Sequence, residues 1–500
     1  MNDLNSPMTP QEAYKLIASV STKLGVDVYA VGGVVRDMAL QKEIKKDLDF
    51  VVLGSGTAFG EALAEHVGED AGTLIPFPDF DTSRFVFTKV IPNDDPESDE
   101  VNKEVLMEVE FAGARKEAYH TASRKPTVEP ATLEQDLSRR DFTVNAMARK
   151  VEVDGTLGPL IDPYSGREHL DEKTLATPLD PDETFSDDPL RMLRAARFAA
   201  QLGFGIDAKV LEAIERNADR LKIVSAERIK EELFKLLATE KPSIGLNILY
   251  GTKLFDVFMP EVPLLAGAES EKGYSHKDNL AHTFAVVDNV AEMTDKPILR
   301  YAGLMHDIAK PDTKKFVRGR GWTFDMHEHL GKKIARQIND RLRLSKGESK
   351  YVCKLVRWHL QPIALMDDGI TDSAVRRLIV NLGDDLDDLL ILCRGDITTA
   401  NQKKKIKRLK NYDTLKERIA EVMKKDHMRE FQSPVRGEEI MELTGLQPGP
   451  TIGKIKKELE RAILDGDVGN EHDLVLEYFY KIKEEFIACA AAWERTKKTR

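Results

Sequence analysis

Two aspartates, Asp47 and Asp49, follow a Gly32-Gly33 pair in the stretch VYAVGGVVRDMALQKEIKKDLDFVVLG. In an extended chain residues i and i+2 share a face, so these carboxylates lie side by side and repel unless a cation separates them. A hard divalent cation is the natural partner. The two glycines leave backbone N–H groups open to an anion beside the start of a helix. A phosphate cradle next to a metal-binding carboxylate pair suggests nucleotidyl transfer. The stretch VLMEVEF alternates Glu108 and Glu110 onto one face, and either offers a third carboxylate. Arg139 and Arg140, beside Asp141 in SRRDFTVNAMARK, suit a triphosphate because guanidinium matches phosphate geometry. Asp188 and Arg191 lie three apart, so on a helix they are neighbours. A carboxylate only accepts hydrogen bonds and a guanidinium only donates them. Cytosine and adenine both present an amino group beside acceptor atoms, whereas uracil and guanine put a carbonyl there. Such a pair admits C and A and rejects U and G by leaving buried groups unpaired.

These residues need a scaffold. Val28–Val31 reads as a short strand, Val34–Leu40 as a helix and Leu48–Leu53 as a returning strand. Pro10–Leu24 has helical spacing with Thr9 as N-cap and Glu12 three residues later. Gly60–Val67 reads as a helix, Arg84–Val90 and Val105–Phe111 as strands, and 93–102 as an acidic loop. Arg115–Pro130 is polar throughout and reads as a loop, and Leu133–Arg149 as a helical candidate. Strand signals fade after Leu170. Asp188–Gln201, Val210–Asn217 and Ser225–Leu237 are amphipathic helices, with Asp188 before Pro189 an ideal N-cap. Residues 267–273 read as a linker. A helical segment follows that carries His276, His282, His306, His327, His329 and His359. Lys403–Lys410, KKKIKRLK, is a basic run, and 437–453 is rich in glycine and proline.

The chain has 500 residues, too many for one ordinary core. Its net charge of −11 means that a nucleic-acid partner must be met by a local basic surface. Three widely separated cysteines, Cys353, Cys393 and Cys489, make neither a disulfide framework nor a zinc pattern and fit a reducing compartment. With no signal-like N-terminus and no long apolar run, the expectation is a cytoplasmic protein that does not meet the membrane.

Taken in order, GGVVRD, DLD, RRDFTVN and DDPLR resemble the motifs of the CCA-adding tRNA nucleotidyltransferases whose catalytic head is polymerase-β-like. Bacterial poly(A) polymerases share that head. The resemblance implies an α+β protein: a nucleotidyltransferase head of mixed sheet and helices over 1–163, then an all-α neck (164–266), an HD domain (267–402) and a helical tail (403–500). It implies Asp47, Asp49 and Glu110 as catalytic carboxylates holding Mg2+. Gly32, Gly33, Arg36, Arg139, Arg140, Asp141, Asn145, Asp188, Arg191, Arg194 and Arg197 become nucleotide-binding. Arg36 either holds the triphosphate or pairs with Asp37, and Arg194 and Arg197 contact RNA or form salt bridges. In the family the Asp–Arg pair selects the nucleotide; the family usually has Glu-Asp where this chain has Asp187-Asp188. Asp162 and Gly166 resemble a flexible-loop motif, and Ala226-Glu227-Arg228 a support for the selecting helix.

His282, His306-Asp307 and Asp396 resemble the HD superfamily of metal-dependent phosphohydrolases. The resemblance implies Mn, Ni, Fe or Mg there, with His327, His329 and His359 available for a second metal or a phosphate. Related fused enzymes imply hydrolysis of 2′,3′-cyclic phosphate ends. The tail resembles that of HD-containing tRNA nucleotidyltransferases, and Lys403, Lys404, Lys405, Lys454, Lys456 and Lys457 are the expected RNA-binding surface. The leading expectation is template-free addition of C, C and A to tRNA from CTP and ATP, by a monomer or homodimer. The alternatives are a poly(A) polymerase, an enzyme adding only CC or A, and an HD phosphohydrolase whose head merely binds RNA.

Overall fold

The computed structural model describes residues 8–44, 46–91, 102–120, 123–267, 270–271, 274–275, 278–366, 371–426 and 433–495. The expected acidic loop, apart from Asn102, lies outside them, as do His276 and part of the expected linker. The chain divides into two compact units, Met1–Pro263 and Leu264–Arg500.

The first unit is built on a sheet of β1 (Val28–Val31), β2 (Asp47–Val52), β3 (Gly72–Phe77), β4 (Thr82–Ile91), β5 (Asn102–Gly113), β8 (Ala148–Val151) and β9 (Leu157–Ile161). Its spatial order is β3-β4-β5-β2-β1-β8-β9. β2 and β5 are parallel and the other neighbours antiparallel. Phe50 and Phe111, on those two strands, stack at 5.5 Å, and Phe59 from the Gly56–Val67 helix packs on Phe111 at 4.7 Å. All three are buried, which anchors the two carboxylate-bearing strands to the core. The Pro10–Leu24 helix begins in a full capping box between Thr9 and Glu12.

Two expectations fail in this unit. Arg115–Pro130 is no loop but a hairpin of β6 (Arg115–His120) and β7 (Ser123–Pro130), separate from the main sheet. Its polar sequence offers no alternating apolar face, the signal by which strands are read. Leu133–Arg149 is not one helix. The helix stops at Ser138, a short 3-10 turn covers Thr143–Asn145, and β8 begins at Ala148. The Asp141 carboxylate accepts the Phe142 N–H at 2.8 Å and the Asn145 amide at 3.0 Å, local bonds that compete with a helical ladder.

Beyond the sheet the unit is mainly helical and includes the helices Pro181–Asp187, Leu190–Leu202, Ala208–Asn217, Ala226–Leu237 and Pro242–Gly251. The expected helix from Asp188 begins two residues later, because Asp188 is extended (φ −132°, ψ 99°) and separates two helices. The second unit is mainly helical, from Asn279–Ala291 to His472–Ala488, with a small hairpin of Lys315–Val317 and Gly321–Thr323. Its terminal portion closes over a core including Ile440, Ile455, Leu459, Val475 and Phe479.

Candidate active site and metal centre

In the first unit, β2 carries Asp47 and Asp49 at its first and third positions. The parallel register sets Asp49 opposite Glu110 and Asp47 opposite Glu108, so strand pairing places the carboxylates together. Glu110 lines the same cavity as the two aspartates, while Glu108 is not among its lining residues. Arg84 on β4 donates to Glu110 at 2.8 Å and lies 3.4 Å from Glu108. The Asp49 carboxylate reaches solvent through the cavity yet is crowded by protein. That crowding, with Asp47 and Glu110 beside it, pushes its pKa up to about 6 against the pull of Arg140 and Arg84. Asp47, Asp49 and Glu110 line one cavity and offer oxygen donors, the type a hard divalent cation takes.

The cavity, about 500 Å³, is also lined by Gly32, Gly33, Arg36, Asp141 and Asn145 and by the arginines at 139, 140, 191, 194 and 197. Gly32 has φ +70° and ψ −130°, and a Cβ there would lie 3.2 Å from an Arg140 guanidinium nitrogen. Both the backbone and the close approach call for glycine. The Gly33–Ala39 helix starts at this turn. Arg36 is buried and bonded to Asp37 at 2.7 Å and to the Asn145 carbonyl at 2.8 Å, so of its two expected roles the structure shows the pairing.

Arg139 and Arg140 both donate to Asp136, which is fully buried. Burial works against the charge on Asp136, but the two guanidiniums hold its pKa below the usual value. Asp136 was not anticipated, although its spacing of three and four from the two arginines was a readable signal. Asp141 is a junction rather than a surface charge. Arg194 donates to it at 2.6 and 2.8 Å, and despite complete burial its pKa is held at about 2, chiefly by Arg194 and Asn145. Arg197 pairs with the buried Glu232 at 2.7 Å, and Arg194 lies 3.5 Å from the same carboxylate. Phe198, also unanticipated, lies under the guanidiniums of Arg36, Arg194 and Arg197 at 5.6, 5.3 and 4.0 Å.

Asp188 and Arg191 both face this cavity. One Asp188 oxygen accepts the Leu190 N–H at 3.2 Å, and the other lies 3.4 Å from Arg228. Asp188 itself therefore caps the helix. Arg191 donates to the Arg139 carbonyl at 2.5 Å, tying the Leu190–Leu202 helix to the arginine turn. Asp162 accepts the N–H groups of Gly166 and Arg167 at 2.7 and 2.8 Å and acts as a local cap.

The second unit gathers another cluster. His282 comes from the Asn279–Ala291 helix, His306 and Asp307 follow the Pro297–Met305 helix, and Asp396 follows Leu386–Gly395. His282 Nε2 lies 3.0 Å from Asp396 and 3.4 Å from Asp307, and His306 Nε2 3.1 Å from Asp307. Burial opposes protonation of His306, but Asp307 and Asp396 push its pKa up to about 10. The imidazole and carboxylate donors fit a divalent transition metal such as Mn, Fe or Ni. His327 and His359 adjoin the cluster, while His329 is half exposed and faces Glu328 at 3.7 Å. Lys403 and Lys404 are exposed and Lys405 half-buried on the Gln402–Asp426 helix; Lys454, Lys456 and Lys457 are exposed on Pro450–Asp465. Gly449 precedes that second helix and Gly453 lies within it.

A mixed sheet carrying paired carboxylates beside an arginine-lined cavity, joined to a helical unit with a histidine–aspartate cluster, defines a nucleotidyltransferase head with an HD domain. The families described as Poly A polymerase head domain, Probable RNA and SrmB-binding site of polymerase A, and HD domain match residues 28–176, 203–265 and 279–394. The chain is 31% identical over 460 residues to a CC-adding tRNA nucleotidyltransferase of Thermus thermophilus, covering 89% of this chain and 92% of that protein. It is 31% identical to an A-adding tRNA nucleotidyltransferase of Deinococcus radiodurans, covering 69% and 78%. In fold it resembles the Bacillus stearothermophilus CCA-adding enzyme solved with CTP, at a TM-score of 0.59 and 21% identity, covering 97% of this chain and all of that one. The chain belongs to the tRNA nucleotidyltransferase family.

Proposed function

We propose that this enzyme adds C, C and A to the 3′ end of tRNA from CTP and ATP without a nucleic-acid template. The observation that carries this reading is the meeting of three elements in one cavity: the carboxylates Asp47, Asp49 and Glu110, the arginine wall, and Asp188 with Arg191. Asp47, Asp49 and Glu110 would hold Mg2+, which would supply charge neutralisation and lower the pKa of the attacking 3′-hydroxyl. The residues do the positioning. Gly32 and Gly33 open backbone N–H groups to the phosphates, and Arg140, fixed by Asp136, covers the same turn. Asp188 and Arg191 present an acceptor and donors to the base edge. The family includes CC-adding, A-adding and CCA-adding members, so the end product is decided by assay. A tRNA ending at its discriminator base is offered each labelled nucleotide alone and in mixtures. Successive C, C and A addition is expected. Addition of C alone or A alone makes the chain a partial-adding enzyme, and A-tailing of any RNA makes it a poly(A) polymerase.

The division of labour follows the four parts expected from sequence, with the tail lysines meeting tRNA. A second activity is favoured by the cavity of about 300 Å³ where His282 and Asp396 stand with Lys310 and Arg408. Metal-binding donors beside two cations suit phosphate-ester hydrolysis, and a 2′,3′-cyclic phosphate at a damaged tRNA end is the proposed substrate. An Asp49→Ala variant is expected to lose addition and keep this hydrolysis; joint loss without unfolding would overturn the idea of two sites.

A further inference from the structure

The second unit concentrates positive charge on one small element. Between 310 and 320 stand five cations, Lys310, Lys314, Lys315, Arg318 and Arg320, against one carboxylate, Asp312, in a chain of net charge −11. Three of the five belong to the hairpin of Lys315–Val317 and Gly321–Thr323, whose turn is Arg318-Gly319-Arg320. Gly319 takes φ +85°, and the Arg320 N–H bonds back to the Val317 carbonyl at 3.0 Å, which closes a tight turn with both arginines exposed. Lys315 is exposed as well. Neither Lys315 nor Arg318 has an ion-pair partner among the described residues. Arg320 meets Asp325 at 3.3 Å, an exposed pair of little strength.

Aromatic contacts stiffen the hairpin. Phe316 and Trp322 are opposite each other in its register and pack edge to face at 5.3 Å, and Lys314 Nζ lies 4.5 Å from the Trp322 ring. Two strands of three residues are marginal alone, so this cross-strand pair holds the charged turn in place. The hairpin also borders the cavity of His282 and Asp396. Phe324, one residue past the second strand, lines that cavity together with Lys310, whose Nζ lies 5.6 Å from its ring and bonds to Asp307. Arg408 of the Gln402–Asp426 helix lines it too, and Lys404 stands one turn before Arg408. Two basic elements thus meet at one cavity. A solvated hairpin needs charge but not charge of one sign, and clustered like charges repel until an anion lies among them. Cations beside an aromatic ring at a cavity mouth suit single-stranded RNA, with the charges on its phosphates and the ring against a base.

We propose that the hairpin of Lys315–Val317 and Gly321–Thr323 binds single-stranded RNA, with Lys315, Arg318 and Arg320 on its phosphates and Phe324 against a base, and leads the 3′ end of the strand into the cavity lined by Lys310 and Arg408. The binding surface stands on charge and geometry. Entry of a 3′ end into the cavity rests on the phosphohydrolase reading above.

The test locates the RNA. The probe is a short single-stranded RNA ending in a 3′-phosphate, which the head cannot extend, with 4-thiouridine next to its last nucleotide. Irradiated with the full-length chain, it is expected to crosslink to the tryptic peptide 321–332, which contains Trp322 and Phe324. In Arg318→Ala/Arg320→Ala the yield in that peptide is expected to fall about fivefold or more, and the logarithmic salt dependence of binding, read by fluorescence anisotropy, to flatten by roughly 1. Lys315→Ala supplies a second, milder variant if a thermal melt shows that the double one is unfolded. Crosslinks that leave 321–332 untouched, or a yield and a slope the same in every variant, would overturn the surface. Displacement of the probe by polyglutamate as readily as by unlabelled RNA would make it a general anion patch and overturn the RNA assignment. The same RNA ending in a 3′-hydroxyl separates the two readings. Weaker binding than the 3′-phosphate supports entry of the end into the cavity. Equal binding with the hairpin crosslink intact leaves the surface standing, removes the end from the cavity and counts against the phosphohydrolase reading.

Discussion

Single side chains set the chemistry of the head, and two of them can be tested alone. Gly32 holds a backbone conformation that costs other residues about 1–3 kcal/mol, and its missing Cβ leaves room for Arg140. Gly32→Ala is expected to lower nucleotide addition about tenfold or more while the fold persists, read by steady-state kinetics beside a thermal melt. Unchanged kinetics would remove the turn from the phosphate site. Asp141 has a folded pKa of about 2, against an unfolded value near 3.8. A depressed carboxylate stabilises the fold above its unfolded value, and that stability fades as pH falls through the folded one. The interval from about pH 4 to pH 2 should therefore remove about 2 kcal/mol. Urea unfolding across this range is expected to show the loss in the native chain and a flatter acid limb in Asp141→Asn. At neutral pH the same variant should be less stable by about 3 kcal/mol, because Arg194 loses its closest buried carboxylate and keeps only Glu232 at 3.5 Å.

Asp188 accepts the first N–H of the helix Leu190–Leu202 and faces the cavity, so a stabilising contact and the proposed base choice fall on one side chain. The two roles separate by substitution. Asp188→Asn keeps a capping oxygen and should melt like the native chain, whereas Asp188→Ala should lose about 1 kcal/mol. Both are expected to weaken discrimination of CTP and ATP against UTP and GTP, by roughly tenfold or more, in single-nucleotide competition assays. Equal discrimination in all three proteins would reduce Asp188 to a cap. The elements carrying this chemistry were legible where apolar periodicity or turn chemistry was strong: β1, β2, the Gly32 turn, and the helices after Leu190. β3, β8 and the β6–β7 hairpin were not, because short or polar strands are defined by their partners. The carboxylate positions could be read from alternation, but the Arg84–Glu110 pair could not, since only strand register brings them together. Asp141 was visible as a charge and invisible as a junction, because its partner Arg194 lies far along the chain.

The two units offer different donors, carboxylate oxygens in the first and imidazole nitrogens with carboxylate oxygens in the second. His306→Ala is expected to leave CCA addition within about twofold while abolishing metal loading of the second unit, a result outside the usual coupling within one active site. Loss of addition in a folded His306→Ala protein would argue that the two activities depend on one another. Binding of tRNA should draw on the tail lysines through counterion release. Replacing Lys454, Lys456 and Lys457 by alanine is expected to weaken binding uniformly across tRNA sequences and to flatten its logarithmic salt dependence by about 2–3. An unchanged slope would place the RNA elsewhere. The parallel pairing of β2 with β5 has a consequence for how such enzymes can diverge. Asp49 and Glu110 meet because two strands run side by side in a fixed alignment. Insertions and deletions in the chain between those strands can accumulate without moving either carboxylate. A slip of one residue in the alignment would turn Glu110 to the far face and bring Val109 or Phe111 to its place, so this active site tolerates changes of length and is intolerant of changes of phase.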